Sequence, residues 1–413
     1  MPPESERTGL EQNRFLSIVG IGEDGVNGLG DNARAAISAA SVVFGGKRHL
    51  ELASSLIAGE ARAWPTPFDA AMRDVLALRG QKVCVLASGD PFFFGVGATL
   101  SRHLGAEEFV TYPSPSAFSL AASRLGWPLQ EIETVSLHGR PLDLIRPLLH
   151  PGRKIIALTS DEKGPAELAA LLTATGFGKS RLTVLEALGG EAERIRSGTA
   201  GGFALPDINV LNVVAIEVEA DIGARILPRG FGLDDALFEH DGQITKREIR
   251  ALTLSSLAPR RGELLWDIGA GSGSIGIEWL LADPSMKAIA IEAHPDRAAR
   301  IRRNAGAFGV PGLILVEGEA PAALKNLPQP DAIFIGGGGS EGGVLDAAIA
   351  ALKPGGRLVA NAVTLEMEAV LIAAQARLGG SLLRIDVSRA APIGTMTGWK
   401  PAMPVTQWTW IKQ

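Results

Sequence analysis

The sequence predicts an α/β protein with two domains in one chain. Its 413 residues exceed what one ordinary hydrophobic core organises, so at least two domains are expected. Short β-branched runs bounded by glycine or proline alternate with helical patterns, which is typical of mostly parallel sheets. Two of the predicted strands lead directly into glycine-rich loops, at residues 20–25 and 269–276. Because the periodicity is lost near residues 220–232, we predict domains at 1–220 and 221–413.

The composition favours a folded enzyme and excludes several other classes. Hydrophobic residues make up 46% and charged residues 21% of the chain, and the formal net charge of −5 argues against a non-specific nucleic-acid binder. The single cysteine, Cys84, excludes an intrachain disulfide, and the scattered histidines predict no metal site. Met1 to Arg14 lacks the features of a signal peptide, and no apolar run reaches the roughly 18–20 residues that span a bilayer. We therefore expect a cytoplasmic protein.

The periodicity predicts elements along both domains. In the first domain, strands are predicted at 15–20, 82–87, 154–159, 181–186 and 210–218, and helices at 32–40 and 165–175. In the second domain, strands are predicted at 263–268, 287–292, 313–317, 332–335 and 357–360, and helices at 245–257, 274–281, 295–308, 343–352 and 365–378. The tail segments 382–388 and 404–411 are predicted to form an antiparallel pair. Thr245, with Glu248 three residues later, predicts a capping box at the start of its helix.

The clearest single feature is a strand that leads into a glycine loop, LLWDIGAGSG at residues 264–273. In an open parallel sheet, ligands bind at the carboxyl ends of the strands. Glycines there let the backbone approach a ligand, and the following helix offers its amides to negative charge. Glu292, at the end of the next predicted strand, can accept hydrogen bonds from a ribose diol. Asp267 and Glu292 together therefore predict a cofactor that carries a nucleoside.

Two glycine spacings match the dinucleotide pattern G-x-G-x-x-G, one from Gly20 and one from Gly271. A nicotinamide-dependent reductase is therefore one alternative. At the second loop, however, the register D-x-G-x-G-x-G from Asp267 to Gly273 resembles motif I of the class I methyltransferases, which use S-adenosylmethionine (SAM). In those enzymes a carboxylate near the first glycine faces the methionine end of the cofactor, and no pyrophosphate has to be held.

Four further segments narrow the family of the second domain. They are DGQITKREIR at 241–250, EGEAP at 317–321, DAIFIGGGG at 331–339 and ANAVTLE at 360–366. In this order they resemble the CbiT-type corrin-ring methyltransferases of cobalamin biosynthesis, over about residues 230–397. The resemblance implies a class I Rossmann-like fold and SAM contact by Thr245, Gly269, Ala270, Gly271, Ser272, Gly273, Glu292 and Ala320. The glycine loop at 336–339 replaces the polar motif of amino- or base-methylating enzymes, which suits a wide flat substrate and carbon methylation.

The first domain carries a different set of motifs. They are LSIVGIG at 16–22, LASGDPFFFG at 86–95 and YPSPSA at 112–117. Together they resemble the tetrapyrrole methylase (class III) family, in its CbiE branch, whose two α/β lobes hold SAM in the cleft between them. The resemblance implies cofactor contact by Gly22, Ser88, Gly89, Asp90, Phe93, Ser116 and Ala117. Glu23 and Asp24 stand where the family commonly has a proline, so the contacts of the first loop differ from that pattern.

A CbiE-like domain followed by a CbiT-like domain resembles the fused, CobL-type family of precorrin C5,15-methyltransferases that also decarboxylate. The resemblance implies two SAM sites per chain, methylation of precorrin-6B at C5 and C15, and loss of the ring C acetate carboxyl as carbon dioxide, giving precorrin-8X. It assigns C5 methylation to the N-terminal domain, and C15 methylation with decarboxylation to the C-terminal one. A class I RNA methyltransferase and a tetrapyrrole carrier with degenerate SAM sites are further alternatives.

Several charged residues are candidates for the substrate side of the second site. His240 and Asp241 precede the predicted helix and are the candidate acid/base groups. Because the substrate carries many carboxylates, a cationic cluster is expected at each cleft, and Lys246, Arg247 and Arg250 fit the second one. The family resemblance also implies a homo-oligomer, assembled through the C-terminal domain. The negative net charge and the lack of a long apolar run predict no nucleic-acid and no membrane partner.

Overall fold

A computed structural model describes residues 14–65 and 69–413. Contacts between Cα atoms divide the chain into two units, Met1–Leu142 with His150–Arg225, and Asp143–Leu149 with Ile226–Gln413. Almost all of the N-terminal stretch in which no signal peptide is predicted, residues 1–13, lies outside the described residues. Within the described part of the chain, the helices are too short or too polar to cross a bilayer.

The first unit begins with a parallel five-stranded sheet, in the order β3-β2-β4-β1-β5. Its strands are β1 (Leu16–Ile21), β2 (Val42–Gly45), β3 (Glu60–Ala63), β4 (Val83–Ser88) and β5 (Phe109–Tyr112). The helices around it are α1 (Asp31–Ser38), α2 (Lys47–Leu52), α3 (Asp69–Ala77) and α4 (Val96–Leu100). The predicted strands at 15–20 and 82–87 correspond to β1 and β4. The patterns did not predict β3, because its charged side chains at Glu60 and Arg62 are exposed or partly exposed and leave no apolar run.

A second five-stranded sheet in the same unit has the order β6-β7-β10-β8-β9. Its strands are β6 (Ile132–Ser136), β7 (Lys154–Leu158), β8 (Arg181–Glu186), β9 (Arg194–Thr199) and β10 (Asn212–Glu217), and its helices are α5 (Ala117–Leu125) and α6 (Gly164–Ala174). Only β6 and β7 run parallel, whereas β7, β10, β8 and β9 pair antiparallel. The prediction of mostly parallel sheets is therefore wrong for this lobe, since β8 returns to β9 through a short connection rather than a crossover helix.

The second unit contains a seven-stranded sheet in the order β13-β12-β11-β14-β15-β19-β16, and a separate hairpin β17-β18. Its strands are β11 (Leu264–Ile268), β12 (Lys287–Glu292), β13 (Ile314–Glu317), β14 (Ala332–Ile335), β15 (Arg357–Ala362), β16 (Ser381–Ile385), β17 (Ser388–Ile393), β18 (Met396–Pro401) and β19 (Val405–Ile411). Its helices are α7 (Arg247–Leu257), α8 (Ser274–Ala282), α9 (Pro295–Ala307), α10 (Val344–Ala351) and α11 (Leu365–Leu378).

The strands from β11 to β15 are parallel, and β19 runs antiparallel to both of its neighbours. The predicted pairing of the tail is therefore confirmed as β16 with β19. Trp408 is fully buried and its indole donates a hydrogen bond of 3.0 Å to the Gly379 carbonyl, so its role in this sheet is packing. The first unit's two lobes and this Rossmann-like sheet agree with the predicted fold class.

The start of α7 differs from the prediction. The helix begins at Arg247 and Lys246 is its N-cap residue, without a side-chain cap. The capping box predicted for Thr245 is therefore wrong. Glu248 forms an ion pair with Arg389 on β17 instead of turning back to the helix start. The Thr245 carbonyl accepts a hydrogen bond from the guanidinium of Arg250, which holds the segment before the helix in place.

The side chain of Arg250 is fully buried. Its Nε donates to Glu278 on α8 at 2.5 Å, and its Nη1 donates to Asp235 at 3.0 Å. Glu278 also accepts the amides of Gly232 and Leu233, at 2.7 and 3.0 Å. This network joins α7, α8 and the loop before them. Arg250 is therefore unavailable to a substrate carboxylate, and its predicted place in the substrate-binding cluster is wrong.

We predict that Arg250→Gln lowers the free energy of unfolding by about 3–5 kcal/mol, because it leaves the buried Glu278 carboxylate without its cation. Arg247→Gln is the matched control. Arg247 is exposed on the same helix, so this change should stay within about 0.5 kcal/mol of wild type. Urea unfolding of both variants measures the difference, and equal midpoints for the two variants would contradict the structural role of Arg250.

Candidate cofactor sites

The glycine loop after β11 is tied to the neighbouring strand. The amides of Gly269 and Ala270 both donate to the Ile291 carbonyl, at 3.0 and 3.1 Å. Gly269, Gly271 and Gly273 have φ values of +69°, +60° and +75°, a region that disfavours residues with a β-carbon. The sequence therefore needs glycine at these three positions to turn from β11 into α8.

Close backbone contacts surround the same loop. A β-carbon on Gly269 would lie 2.4 Å from the carbonyl oxygen of Gly337, and one on Gly271 would lie 3.2 Å from that of Gln243. The predicted segments at 241–250 and 331–339 therefore reach the loop. Ser272 is buried, and its hydroxyl has no partner among the described residues. An unpartnered buried donor beside a glycine-lined edge fits a site that receives a polar ligand.

Glu292 lies at the end of β12 and is buried. Its Oε2 accepts the amide of Gly271 at 2.8 Å, and its Oε1 accepts that of His294 at 2.9 Å. Each carboxylate oxygen keeps a further lone pair, so both can still accept a ribose hydroxyl. The Gly318 amide donates to the Glu292 carbonyl at 3.0 Å, which brings the loop that contains the half-buried Ala320 next to this strand end.

Asp267 is the second buried carboxylate of this edge. Its Oδ2 accepts the Gly276 amide in α8 at 3.0 Å, and its Oδ1 has no partner among the described residues. Burial raises the pKa of Asp267, the Gly276 hydrogen bond opposes this rise, and the nearby Glu292 charge adds to it, which together bring the pKa to about 7. The carboxyl therefore exchanges a proton near neutral pH.

Asp241 and His240 lie in the loop before α7. The Asp241 carboxylate forms ion pairs with Arg297 and Arg300 of α9, at 3.0 and 3.1 Å, and accepts the Gln243 amide at 3.0 Å. The hydrogen bond from Arg297, followed by that from Gln243, holds the pKa of Asp241 far below its usual range. Asp241 therefore has no proton to donate at ordinary pH, and these contacts make it an anchor of the loop rather than an acid.

His240 is half-buried, and its Nδ1 accepts the amide of Gly242 at 3.0 Å. Its Nε2 thus remains for other contacts. Lys246 lies 4.0 Å from Asp235, and Arg247 is exposed. Of the three cations predicted for the substrate side, Lys246 and Arg247 are accessible to solvent and Arg250 is not.

In the first unit, the ends of β1 and β4 meet at a second glycine contact. A β-carbon on Gly20 would lie 1.8 Å from the carbonyl oxygen of Gly89, and the Ser114 amide donates to the same oxygen at 3.2 Å. The Ser114 hydroxyl in turn donates to the Gly20 carbonyl at 2.8 Å. These contacts bring the three predicted motifs of the domain to one edge of the first sheet.

The predicted contact residues surround this edge with different local roles. Gly22 accepts the Gly25 amide at 3.1 Å in the first loop, and Asp90 closes its own turn by accepting the Phe92 amide at 2.9 Å. Ser116 is buried and caps α5 by accepting the Ser119 amide at 3.1 Å, and Ala117 is the first residue of that helix. The Phe93 ring is partly exposed and lies 4.8 Å from the ring of Phe118.

Ser88 belongs to a polar cluster that the sequence analysis missed. Its hydroxyl lies 2.8 Å from His49 Nε2 and 3.1 Å from Arg48 Nη2, and Arg48 forms an ion pair with Glu23. The signal for it was present in the sequence. Gly46-Lys47-Arg48-His49 follows the apolar strand β2, and therefore reaches the same carboxyl edge as Gly89.

Comparisons with known proteins agree with these two units. Residues 16–204 match the family described as Tetrapyrrole (Corrin/Porphyrin) Methylases, and residues 236–412 match the Precorrin methyltransferase domain. Precorrin-6Y C(5,15)-methyltransferase [decarboxylating] of Sinorhizobium sp is 68% identical over 96% of this chain and 96% of its own. Cobalt-precorrin-6B C(15)-methyltransferase (decarboxylating) of Salmonella typhimurium is 35% identical over 39% of this chain and 85% of its own.

A solved structure, the C-terminal domain of precorrin-6Y C5,15-methyltransferase from Rhodobacter capsulatus, is 50% identical to this chain. It matches 45% of this chain and 100% of its own, with a TM-score of 0.43.

We predict that Asp267 makes the free energy of unfolding fall as the pH rises. The folded state keeps a proton on Asp267 up to about pH 7, whereas the unfolded chain releases it near the ordinary value of 3.8. Between pH 5 and 8 the stability of wild type relative to Asp267→Asn should therefore decrease, by roughly 2–3 kcal/mol. Chemical denaturation of the cofactor-free proteins across this range measures the effect.

Asp283→Asn is the control for this series. Hydrogen bonds from Ser285 hold the pKa of Asp283 below its ordinary value, so this carboxyl is ionised in both states between pH 5 and 8. The stability difference between wild type and Asp283→Asn should be flat there. A flat difference for Asp267→Asn as well would show that folding does not raise the pKa of Asp267.

Proposed function

The chain belongs to the precorrin-6Y C5,15-methyltransferase (decarboxylating) family, and we propose that its two domains divide the reaction between them. It is a SAM-dependent methyltransferase of cobalamin biosynthesis that methylates a precorrin and decarboxylates it. The proposal concerns the division of work. The N-terminal domain would methylate C5, and the C-terminal domain would methylate C15 and release carbon dioxide, taking precorrin-6B to precorrin-8X.

One observation carries this proposal: each unit has its own glycine-lined sheet edge, at Gly20 and Gly89 in the first and at Gly269 and Gly337 in the second. Two separate edges favour two SAM sites per chain. The Salmonella typhimurium relative is named for C15 methylation with decarboxylation, and it matches 39% of this chain, which is close to the length of one domain. Residues 230–397 resemble the CbiT type. Both facts favour decarboxylation in the C-terminal domain.

The residues present fit SAM at the second edge. Glu292 would accept the ribose hydroxyls, the glycine loop would let the cofactor approach the backbone, and the free Ser272 hydroxyl and Asp267 Oδ1 would gain partners. SAM supplies a methyl group that is already activated by its sulfonium. The protein then has to hold the nucleophilic ring carbon about 3–3.5 Å from that methyl group and exclude water. At the first edge, Gly22, Gly89 and the residues around them would hold the other SAM.

Decarboxylation benefits from an acid that protonates the conjugated ring, which then accepts the electron pair of the breaking carbon–carbon bond. Because Asp241 is held ionised by Arg297 and Arg300, we assign this role to His240, whose Nε2 is not used in its contact with Gly242. Asp241 would position the loop that carries His240. Cytoplasmic location, and the lack of nucleic-acid and membrane partners, stay predictions.

We predict that calorimetric titration of the full chain finds two SAM sites, and that Glu292→Ala weakens one of them by about 1–3 kcal/mol, the scale of lost ribose hydrogen bonds. Gly89→Val is the matched variant for the other site, because a side chain there would press on the Pro115 carbonyl, 2.8 Å from its β-carbon. With the reduced macrocycle, Gly89→Val should keep carbon dioxide release and lose one methyl transfer, whereas Glu292→Ala should raise the SAM concentration that the other methyl transfer needs.

The same measurements separate the alternatives. Loss of carbon dioxide release in Gly89→Val, with the C-terminal SAM site still titrating, would overturn the division of work. Tight binding of NAD or NADP without SAM binding would favour a reductase. A carrier protein would show no SAM sites, and an RNA methyltransferase would transfer methyl groups to RNA rather than to the macrocycle.

We also propose a homo-oligomer that assembles through the β17-β18 hairpin of the C-terminal domain. Ile393, Met396 and Trp399 are 65%, 76% and 75% exposed on this hairpin. Three large apolar side chains exposed together on a two-stranded ribbon favour burial against another surface, and a second copy of the chain is the partner we propose.

We predict that Met396→Glu combined with Trp399→Glu lowers the molar mass measured by light scattering at micromolar concentration, because charges in the contact would be desolvated. Ile372→Glu is the control, since Ile372 is a half-exposed apolar residue on α11, outside the hairpin. A wild-type protein with the mass of a single chain would contradict the proposal.

A further inference from the structure

A charged cluster lies at the carboxyl edge of the first sheet, beside the glycine contact. Strand β2 ends at Gly45, and Arg48 and His49 follow in α2. Ser88 ends β4 and directly precedes Gly89, which places its hydroxyl within hydrogen-bonding distance of both side chains. Glu23, in the loop after β1, forms the ion pair with Arg48. Three neighbouring strand ends thus hold one guanidinium in place.

The donors and acceptors of the cluster define the state of each group. Arg48 can only donate, so the His49 Nε2 atom, 2.9 Å from Arg48 Nη2, accepts. Burial, followed by the Arg48 charge, lowers the pKa of His49 to about 4, so the imidazole is neutral at ordinary pH. The cluster therefore contains one cation, Arg48, and one anion, Glu23.

Arg48 retains hydrogen-bonding capacity after these contacts. Nη1 donates to Glu23, and Nη2 donates to His49 and Ser88. In the described part of the chain, Nε and the second Nη1 proton have no hydrogen-bond acceptor. A third of the side chain is exposed, so a ligand can reach the guanidinium. Burial lowers the pKa of Arg48, so the environment only partly replaces water around its charge. A further anion would be stabilised there.

We propose that Arg48 binds a carboxylate of the precorrin substrate in the N-terminal domain, which rests on the proposed function of that domain. A polycarboxylate macrocycle that reaches the Gly89 edge meets a guanidinium fixed beside it, and a guanidinium recognises a carboxylate through paired, directional hydrogen bonds. Glu23, His49 and Ser88 are positioning residues, since each holds the guanidinium and none of them needs to touch the substrate. The alternative is a purely structural role, in which Arg48 links the Glu23 loop to the end of β4 and does not contact the substrate.

Steady-state kinetics of C5 methylation by the full chain tests the proposal with Arg48→Gln and Arg48→Lys. Arg48→Gln should raise KM for the macrocycle about tenfold or more, the loss expected for a charge-assisted hydrogen bond, while the Kd of SAM stays within about twofold. Arg48→Lys should raise KM by less, because lysine keeps the positive charge but lacks the paired N–H groups of the guanidinium. Arg62→Gln is the control. Arg62 is partly exposed on β3 of the same sheet and is paired with Glu60, so this variant should show wild-type KM.

The outcomes separate the proposal from its alternatives. Wild-type KM for the macrocycle in a folded Arg48→Gln protein would overturn it, and so would an equal loss of SAM affinity, which would place Arg48 at the cofactor. If Arg48→Gln does not fold, Arg48→Lys decides, because a purely structural role predicts wild-type KM for it. Failure of the proposed function would appear separately, as C5 methylation that survives Gly89→Val.

Discussion

Both candidate sites depend on backbone segments that approach each other more closely than a side chain would allow. A β-carbon on Gly20 would lie 1.8 Å from the Gly89 carbonyl oxygen, and one on Gly269 would lie 2.4 Å from that of Gly337. In each case the contact joins the carboxyl ends of two adjacent parallel strands. The edges of the two sheets are different in sequence and topology, and they share this constraint because a ligand at a strand end has to contact backbone.

The charged groups of the protein fall into two kinds around these edges. Arg250 pairs with Glu278, and Arg357 pairs with Glu263. Both arginines are buried, and their other hydrogen bonds go to backbone groups and, for Arg250, to Asp235 as well. Pairs of this kind hold elements together and leave nothing for a ligand. At the carboxyl edge of the seven-stranded sheet, in contrast, some buried polar atoms have no partner. Asp267 Oδ1 and the Ser272 hydroxyl have no partner among the described residues, and these are the groups that a ligand would complete.

Much of the fold could be predicted because the buried strands consist of continuous apolar residues. Strands such as β8, β12 and β14 have the bounds that the pattern predicts, since both of their faces are covered. Strand β9 was missed because it lacks this signal, since most of its side chains are exposed. Strand β2 was missed although it is a buried apolar run of four residues. The antiparallel lobe was mispredicted for another reason, since the direction of a strand depends on the connection that precedes it and not on its own residues.

The sites were predictable to the extent that backbone geometry demands particular residues. Positive φ values require the glycines at 269, 271 and 273, so a spacing alone identifies that loop. A cation imposes no such demand on its neighbours. Arg250 and Arg48 both stand near the start of a helix that follows a loop, yet Arg250 is enclosed by Glu278 and Asp235, and Arg48 remains partly open. Which of them can bind a carboxylate depends on acidic residues that are 15 to 28 positions away in the chain, and only the folded structure brings those together.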